Sequence, residues 1–240
     1  MIPSPETTVG ELASQFPQTI RVFQRLRIEF CCDGQRTLAD LCRERRLPFD
    51  ELADALARAV ATPPPQRLDW NTRPLSDLTT HIAEAFHEPL RQELPRLRAM
   101  AVKVQRHTDP YKHVLAVVRY ELERFSTDLE PHMSKTEREL FPIISRGEAG
   151  RGCEADRGEF ERLRAVLQAE HIEAGLALQI LRRATHRYQP TDNACATLRG
   201  LYRGLKELEQ LMRLHVHLEN NVLFPRAAAL LSEARIERPS

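Results

Sequence analysis

His215 and Glu219 stand four residues apart in a stretch whose apolar residues repeat with helical spacing. Residues i and i+4 lie about 40° apart around a helix and one turn apart along it, so an imidazole and a carboxylate here converge on one point. That is the geometry of a metal-ligand pair. An echo of it lies upstream: His132-Met133-Ser134-Lys135-Thr136-Glu137-Arg138-Glu139-Leu140-Phe141-Pro142 aligns without a gap on His215-Val216-His217-Leu218-Glu219-Asn220-Asn221-Val222-Leu223-Phe224-Pro225. His87 and His171 fall at mid-depth of two further helical stretches, so all four helices would contribute an imidazole to the interior. One such histidine alone is an ordinary polar residue; the echo together with the other two makes a site. Histidines and carboxylates facing inward in a four-helix bundle build di-iron carboxylate centres, because imidazole and carboxylate suit iron and leave positions open for small molecules. The candidate ligands are His87, His132, His171, His215 and Glu219.

The echo sets Thr136 against Glu219. A threonine hydroxyl is neutral and a poor ligand for a hard divalent cation, so one bridging carboxylate is missing from the pattern. Glu137, at i+5 from His132, is rotated by about 140° and points away unless the backbone slips locally. Pro131 removes a helical hydrogen bond just before His132 and leaves such a slip open. Glu139, at i+7, returns to within about 20° of the His132 face but roughly 10 Å along the axis, and Asp128 is on the same stripe one turn the other way. Both are candidates to support the ligands from behind, as are Glu170 and Glu173, which flank His171. Three outcomes are open: two metals bridged by Glu219 and by water or oxide, a site completed by Glu137, or a weakened site with one metal. The first is the expectation. Loss of an anionic ligand should lower affinity for the second metal and shift the reduction potential upward.

Cys31 and Cys32 are adjacent, just ahead of a helix that Thr37 would cap, with Asp40 in its first turn. A helix N-terminus favours thiolate, which can take up nitric oxide, bind iron or sense oxidation. Cys42, Cys153 and Cys195 form no usable spacing. His217 faces roughly 160° away from His215 and reads as solvated or packed; His81 is about 120° off the His87 face and could at most line a channel. His107, His113 and His186 fall at helix ends, where a surface role is expected.

These side chains need long helices to hold them. Gly is scarce, at 9 of 240 residues, and Ala, Leu, Arg and Glu dominate, which predicts an all-α protein. Four segments carry the 3.6-residue period, Ser76 to Gln105, Tyr111 to Ile144, Glu159 to Tyr188 and Asn193 to Glu233, and predict an antiparallel four-helix bundle. Pro89, Pro95 and Pro131 should bend these helices. Upstream, short periodic runs (Val9 to Phe16, Thr19 to Leu26, Thr37 to Arg45, Phe49 to Val60) predict a small helical domain carrying the Cys-Cys loop. Three consecutive prolines at 63–65 favour an extended spacer. The expected division is a small domain over 1–61, a proline-rich linker over 62–74 and the bundle over 75–240.

With 35 Lys+Arg against 34 Asp+Glu, the net charge of +1 draws the chain neither to nucleic acid nor to an anionic membrane. No apolar run reaches the length of a membrane span, and Met1-Ile2-Pro3-Ser4-Pro5-Glu6 lacks the basic then apolar order of a signal peptide. Five cysteines, two of them adjacent, read better as reduced thiols than as a disulfide framework, so the cytoplasm is the expected location.

Phe30-Cys31-Cys32-Asp33-Gly34-Gln35-Arg36-Thr37-Leu38, then His87, His132-Met133, Glu170-His171-Ile172-Glu173-Ala174-Gly175 and Glu219-Asn220-Asn221-Val222-Leu223-Phe224-Pro225-Arg226-Ala227 resemble the Repair of Iron Centres family over nearly the whole chain. The resemblance implies an N-terminal domain with a Cys-Cys motif and a hemerythrin-like bundle holding two non-haem iron ions, oxo or hydroxo bridged. It also implies a role in nitrosative and oxidative stress, through nitric oxide handling and repair of damaged iron-sulfur clusters. The family's histidine ligands match His87, His132, His171 and His215, and one bridging carboxylate matches Glu219. Its other bridging Glu is Thr136 here, and its usual Cys-Cys-Gly-Gly-like turn is Cys-Cys-Asp-Gly, whose added negative charge opposes thiolate formation. Whether such a protein turns over as a nitric oxide reductase or acts stoichiometrically stays open. The alternatives are a hemerythrin-like module that binds or senses O2 or NO without catalysis, and a scaffold that has lost its metal. A homodimer suits the exposed two-domain layout, although no residue specifies one.

Overall fold

The computed structural model describes residues 3–31, 33–61, 69–105 and 112–233. Cys32, most of the proline-rich linker, His107 and the 106–110 loop lie outside the described residues. The N-terminal part folds as α1 (Val9–Gln15), a 3-10 turn (Pro17–Thr19) running into α2 (Ile20–Leu26), α3 (Leu38–Arg45) and α4 (Phe49–Ala61). Capping chemistry sets these bounds. Thr8 and Thr37 accept from the Glu11 and Asp40 amides at 3.2 and 3.1 Å. At the other ends Arg27 and Arg46 take left-handed backbone, with φ of 58° and 53°, and stop α2 and α3.

Four long helices follow. The first, α5, comprises Leu75–Ile82, a π-helical turn Ala83–His87 and Glu88–Gln105; α6 comprises Lys112–Lys135, a π turn Thr136–Leu140 and Phe141–Glu148. Uninterrupted α7 is Glu154–Ala184, and α8 comprises Ala196–Leu218, a π turn Glu219–Leu223 and Phe224–Glu233. Hydrogen bonds and ion pairs run in opposite order along neighbouring helices: His87 with Glu137, Arg91 with Glu130 and Arg98 with Glu123 join α5 to α6. Likewise His132 with Glu170 and Arg146 with Asp156 join α6 to α7. His171 with Asn220 and Arg182 with Glu209 join α7 to α8. Packing of α8 on α5 closes the ring as an antiparallel four-helix bundle. Among the described residues no strand is formed beyond the isolated Thr8–Thr37 bridge, so the fold is all-α.

The three π turns share a cause. Each ends two residues before a proline, ahead of Glu88-Pro89, Phe141-Pro142 and Phe224-Pro225, and the residue preceding the proline donates its amide five residues back, to Ala83, Thr136 and Glu219. A proline ring collides with the carbonyl four residues behind it and offers no amide; one extra residue in the preceding turn makes room for that carbonyl. Pro95 and Pro131 sit inside continuous α-helix, and the changes of register come ahead of Pro89 and of Pro142 and Pro225, the prolines that close the two repeats.

The apolar interior falls into two clusters. Leu75, Leu78, Ile82, Leu140, Ile144, Phe160, Leu167, Leu223 and Phe224 fill one end of the bundle. Leu90, Leu97, Leu122, Met133, Leu181, Leu205 and Val216 fill the other, and their cluster continues without a break into Val9, Phe23, Phe30, Leu38 and Leu56 of the N-terminal helices. Between the two clusters lies a polar layer.

Candidate metal centre

That layer is made of His87, His132, His171, His215, Glu219 and Thr136, every one of them buried. The five candidate ligands come together, and they do so in two groups that share one carboxylate: His87, His215 and Glu219, and His132, His171 and Glu219. Glu219 Oε1 is 3.3 Å from His215 Nε2 and 3.9 Å from His87 Nε2. Its other oxygen is 2.9 Å from His171 Nε2 and 3.6 Å from His132 Nε2. The Nε2 atoms also face each other in pairs, His87 with His215 at 3.0 Å and His132 with His171 at 3.3 Å.

Three of the four rings are oriented from behind. Glu137 Oε1 takes the Nδ1 proton of His87 at 2.7 Å, Glu170 Oε2 that of His132 at 2.9 Å, and Asn220 Oδ1 that of His171 at 2.9 Å. The two carboxylates are themselves held, Glu137 by both terminal guanidinium nitrogens of Arg91 at 2.9 and 3.1 Å and Glu170 by Lys135. With Nδ1 bonded outward, each of these rings directs its Nε2 inward, where the neutral ring offers a lone pair to a metal. His215 Nδ1 finds no partner among the described residues; Phe86 stacks on that ring at 5.8 Å between centroids.

Burial and neighbouring charge pull the imidazoles in different directions. Burial lowers His87 to about 4 and also lowers His215. Burial works against His132 too, but the Glu170 and Glu219 carboxylates overcome it and hold that ring up to about 9. For Glu219 burial favours the neutral acid, yet His215, His132 and His171 keep it well below the usual carboxylate range. Among the described residues no hydrogen bond of good geometry reaches either Glu219 oxygen, although both are fully buried. A buried carboxylate left without donors, ringed by inward lone pairs about 3 Å apart, fits a cation: two nitrogens bound at about 2.1 Å and at right angles to each other have that separation. The donor set of imidazole and one carboxylate suits a first-row transition metal.

The supporting residues differ from expectation. Glu137 enters neither group of ligands. It crosses to α5 and sits behind His87, because the π turn starting at Thr136 shifts the phase on which the 100° wheel relied. The backbone slip exists, but it keeps Thr136 in the interior, where its hydroxyl donates to the His132 carbonyl at 3.0 Å. Glu139, beyond the same shift, is exposed. Asp128 is exposed as well, since the interior of α6 is centred on the Phe125, Leu129 and His132 directions, and Glu173 points to solvent. Of the four proposed supporting acids only Glu170 touches a ligand. His217 is buried at the junction with the N-terminal helices, its ring 5.6 Å from that of Phe30. His81 stacks on Trp70 and lines a cavity of about 370 Å³ bounded also by Phe86, His217, Leu218 and Val222. His113 and His186 are exposed at helix ends, as expected. Cys195 caps α8 by accepting from the Leu198 amide, the Cys153 amide donates to Asp156 at the start of α7, and Cys42 is buried with its thiol pushed up by burial. Arg91, Lys135 and Asn220 escaped the sequence reading; the i+5 offset of Glu137 placed its partner Arg91 on another helix, where no local spacing reveals it.

Comparison with known proteins gives two family matches, the N-terminal domain of unknown function DUF542 over residues 5–60 and the hemerythrin HHE cation binding domain over residues 78–227. Among curated proteins the chain is 37% identical over 225 residues to an iron-sulfur cluster repair protein YtfE of Pectobacterium carotovorum, covering 92% of this chain and 96% of that one. The protein of the same name in Musicola paradisiaca is 38% identical with the same coverage, and that of an Escherichia coli strain 34% identical over 222 residues.

Proposed function

We propose, because this chain belongs to the hemerythrin HHE cation-binding family and to the YtfE-type iron-sulfur cluster repair proteins, that its buried layer holds two iron ions and serves the repair of damaged iron-sulfur clusters under nitrosative or oxidative stress. The observation that carries the reading is the division of five ligands into two groups around one shared, hydrogen-bond-starved carboxylate. His87 and His215 would hold one iron, His132 and His171 the other, with Glu219 between them. When bound, the pair supplies open coordination positions for NO or O2 and a change of oxidation state. Glu137 and Glu170 fix the tautomers of His87 and His132, and Asn220 does so for His171. Apolar residues on both sides exclude water from the layer. Clients are damaged iron-sulfur proteins, in the reducing cytoplasm; no helix among the described residues is long and apolar enough to cross a membrane.

One feature favours binding or sensing over catalysis. Reduction of NO to N2O consumes protons, and Glu137 and Glu170 are locked as acceptors against Arg91 and Lys135, both held below the usual carboxylate range despite the opposing effect of burial. Among the described residues, Thr136 alone brings a hydroxyl into the layer, and it is engaged with the His132 carbonyl. Iron content and Mössbauer spectra of anaerobically purified protein test the metal reading: two coupled irons per chain are expected, and one or none would overturn it. Headspace N2O after exposure of the reduced protein to NO then separates turnover from binding.

A further inference from the structure

The two residues after the shared carboxylate reach away from the bundle. Asn220, whose Oδ1 accepts from His171 Nδ1 at 2.9 Å, donates through Nδ2 to the Cys31 carbonyl at 3.2 Å. Asn221 donates to the Phe30 carbonyl at 3.0 Å and lies 3.1 Å from His217 Nδ1. The loop is shaped to receive these side chains. A Cβ on Gly34 would lie 2.2 Å from Asn221 Oδ1 and one on Gly10 2.6 Å from it, so the glycine of the Cys-Cys-Asp-Gly turn is needed for close approach. On the other side of Cys31, Arg213 of α8 donates to Glu29 at 2.7 Å. Between Cys31 and His171 only about 20 Å³ of cavity remains, lined also by Glu29, Leu178, Met212 and Arg213.

We propose that Asn220 is a positioning residue that joins the thiol loop to the metal centre. One planar amide holds a ligand imidazole with its oxygen and the backbone of Cys31 with its nitrogen, so occupancy of the centre and the seated position of the loop favour each other. The inference rests on the reading of His171 as a ligand. A cation on Nε2 fixes the ring and strengthens its Nδ1 proton as a donor; Asn220 is then held more firmly, and with it the Cys31 carbonyl. Linkage makes the effect reciprocal: a seated loop tightens the centre by the same factor.

The test uses the full chain, kept anaerobic, with and without Co2+. Alkylation of Cys31 by N-ethylmaleimide is followed by peptide mass spectrometry, with exposed Cys153 as internal standard. In the unaltered protein Co2+ should slow Cys31 about fivefold relative to Cys153, the worth of one hydrogen bond. In Asn220→Ala, Cys31 should react fast with or without Co2+. Asn220→Asp keeps the acceptor for His171 but sets an oxygen against the Cys31 carbonyl; it should bind Co2+ with the unaltered absorption spectrum while Cys31 stays fast. An Asn220→Ala protein in which Co2+ still slows Cys31 fivefold would overturn the inference, as would unaltered protein that binds Co2+ with no change in the Cys31 rate. Unaltered protein that takes up no Co2+ at all would instead overturn the metal reading, and the inference with it.

Discussion

Thr136 occupies the place where the second repeat has Glu219, and its hydroxyl is turned back onto the His132 carbonyl. A single carboxylate among four imidazoles leaves two divalent cations poorly neutralised, and the second should bind the more weakly. Thr136→Glu should leave the content at two per chain and tighten the second binding step, measured by titration with Fe2+ or Co2+. The same change buries a further carboxylate without donors, so in metal-free protein it should lower the melting temperature. The two signs together separate a ligand from a mere packing change. Protonation of His132 gives a second handle. With its pKa near 9, that ring is charged at neutral pH in the metal-free chain, whereas His87 and His215 are already neutral. Metal must displace that proton. Uptake at pH 7 should therefore release about one proton from this group, and affinity should fall about tenfold per pH unit below 9. The stability contributed by charged His132 runs the other way: it is present below the ordinary histidine value and lost as pH rises through about 9. Calorimetric titration in two buffers of different protonation enthalpy measures the proton count.

Helix register decides which of these side chains faces inward. Each π turn is matched to the proline that follows it, and the turn at Glu219–Leu223 presents Glu219, Asn220 and Asn221 to the metal layer, the ligand ring and the thiol loop in succession. Pro225→Ala supplies an amide and removes the ring that makes the wider turn favourable. It should lower metal content while leaving far-UV ellipticity nearly unchanged, since only one turn of a long helix changes register. The same physics sets what the sequence discloses. Helix extents, the Thr37 cap and the five ligands follow from a 3.6-residue period, and the structure brings those ligands together. An extra residue in a turn has no signature in that period. Extrapolation from His132 therefore misplaced Glu139; Glu137, expected to point away from the ligands, joins neither group and meets His87 from behind, while Glu170, on a helix with no π turn, supports His132. The Phe-Pro that closes both repeats was visible in the sequence as a repeat and not as a change of register. Asn220 stood beside a ligand with no spacing to mark it, because its partners come from α7 and from the N-terminal loop.

At the scale of the whole chain, the polar layer divides the bundle interior, and one of the two resulting apolar clusters runs on into the N-terminal helices. A metal-free layer costs stability, since buried polar groups are left without partners, and bound metal should restore it by mass action, about 4 kcal/mol at a thousandfold excess over the dissociation constant. The continuous cluster implies that this gain reaches residues far from the metal. Val216 and Leu208 of α8 belong to the same cluster as Phe23 and Leu41, and the Phe30 ring leans on His217, so the N-terminal helices cannot separate without exposing apolar surface of the bundle. Two native probes report on the two parts. Trp70, the one tryptophan in the sequence, stacks on His81 at 4.6 Å beside the bundle, and Cys42 is buried on the inner face of α3. In a urea titration, Trp70 fluorescence and Cys42 alkylation should change at the same midpoint, and metal should move both midpoints upward together. Exposure of Cys42 at lower urea than the Trp70 transition, with a midpoint indifferent to metal, would mean that the thiol-bearing helices fold as an independent unit and that the shared core contributes little.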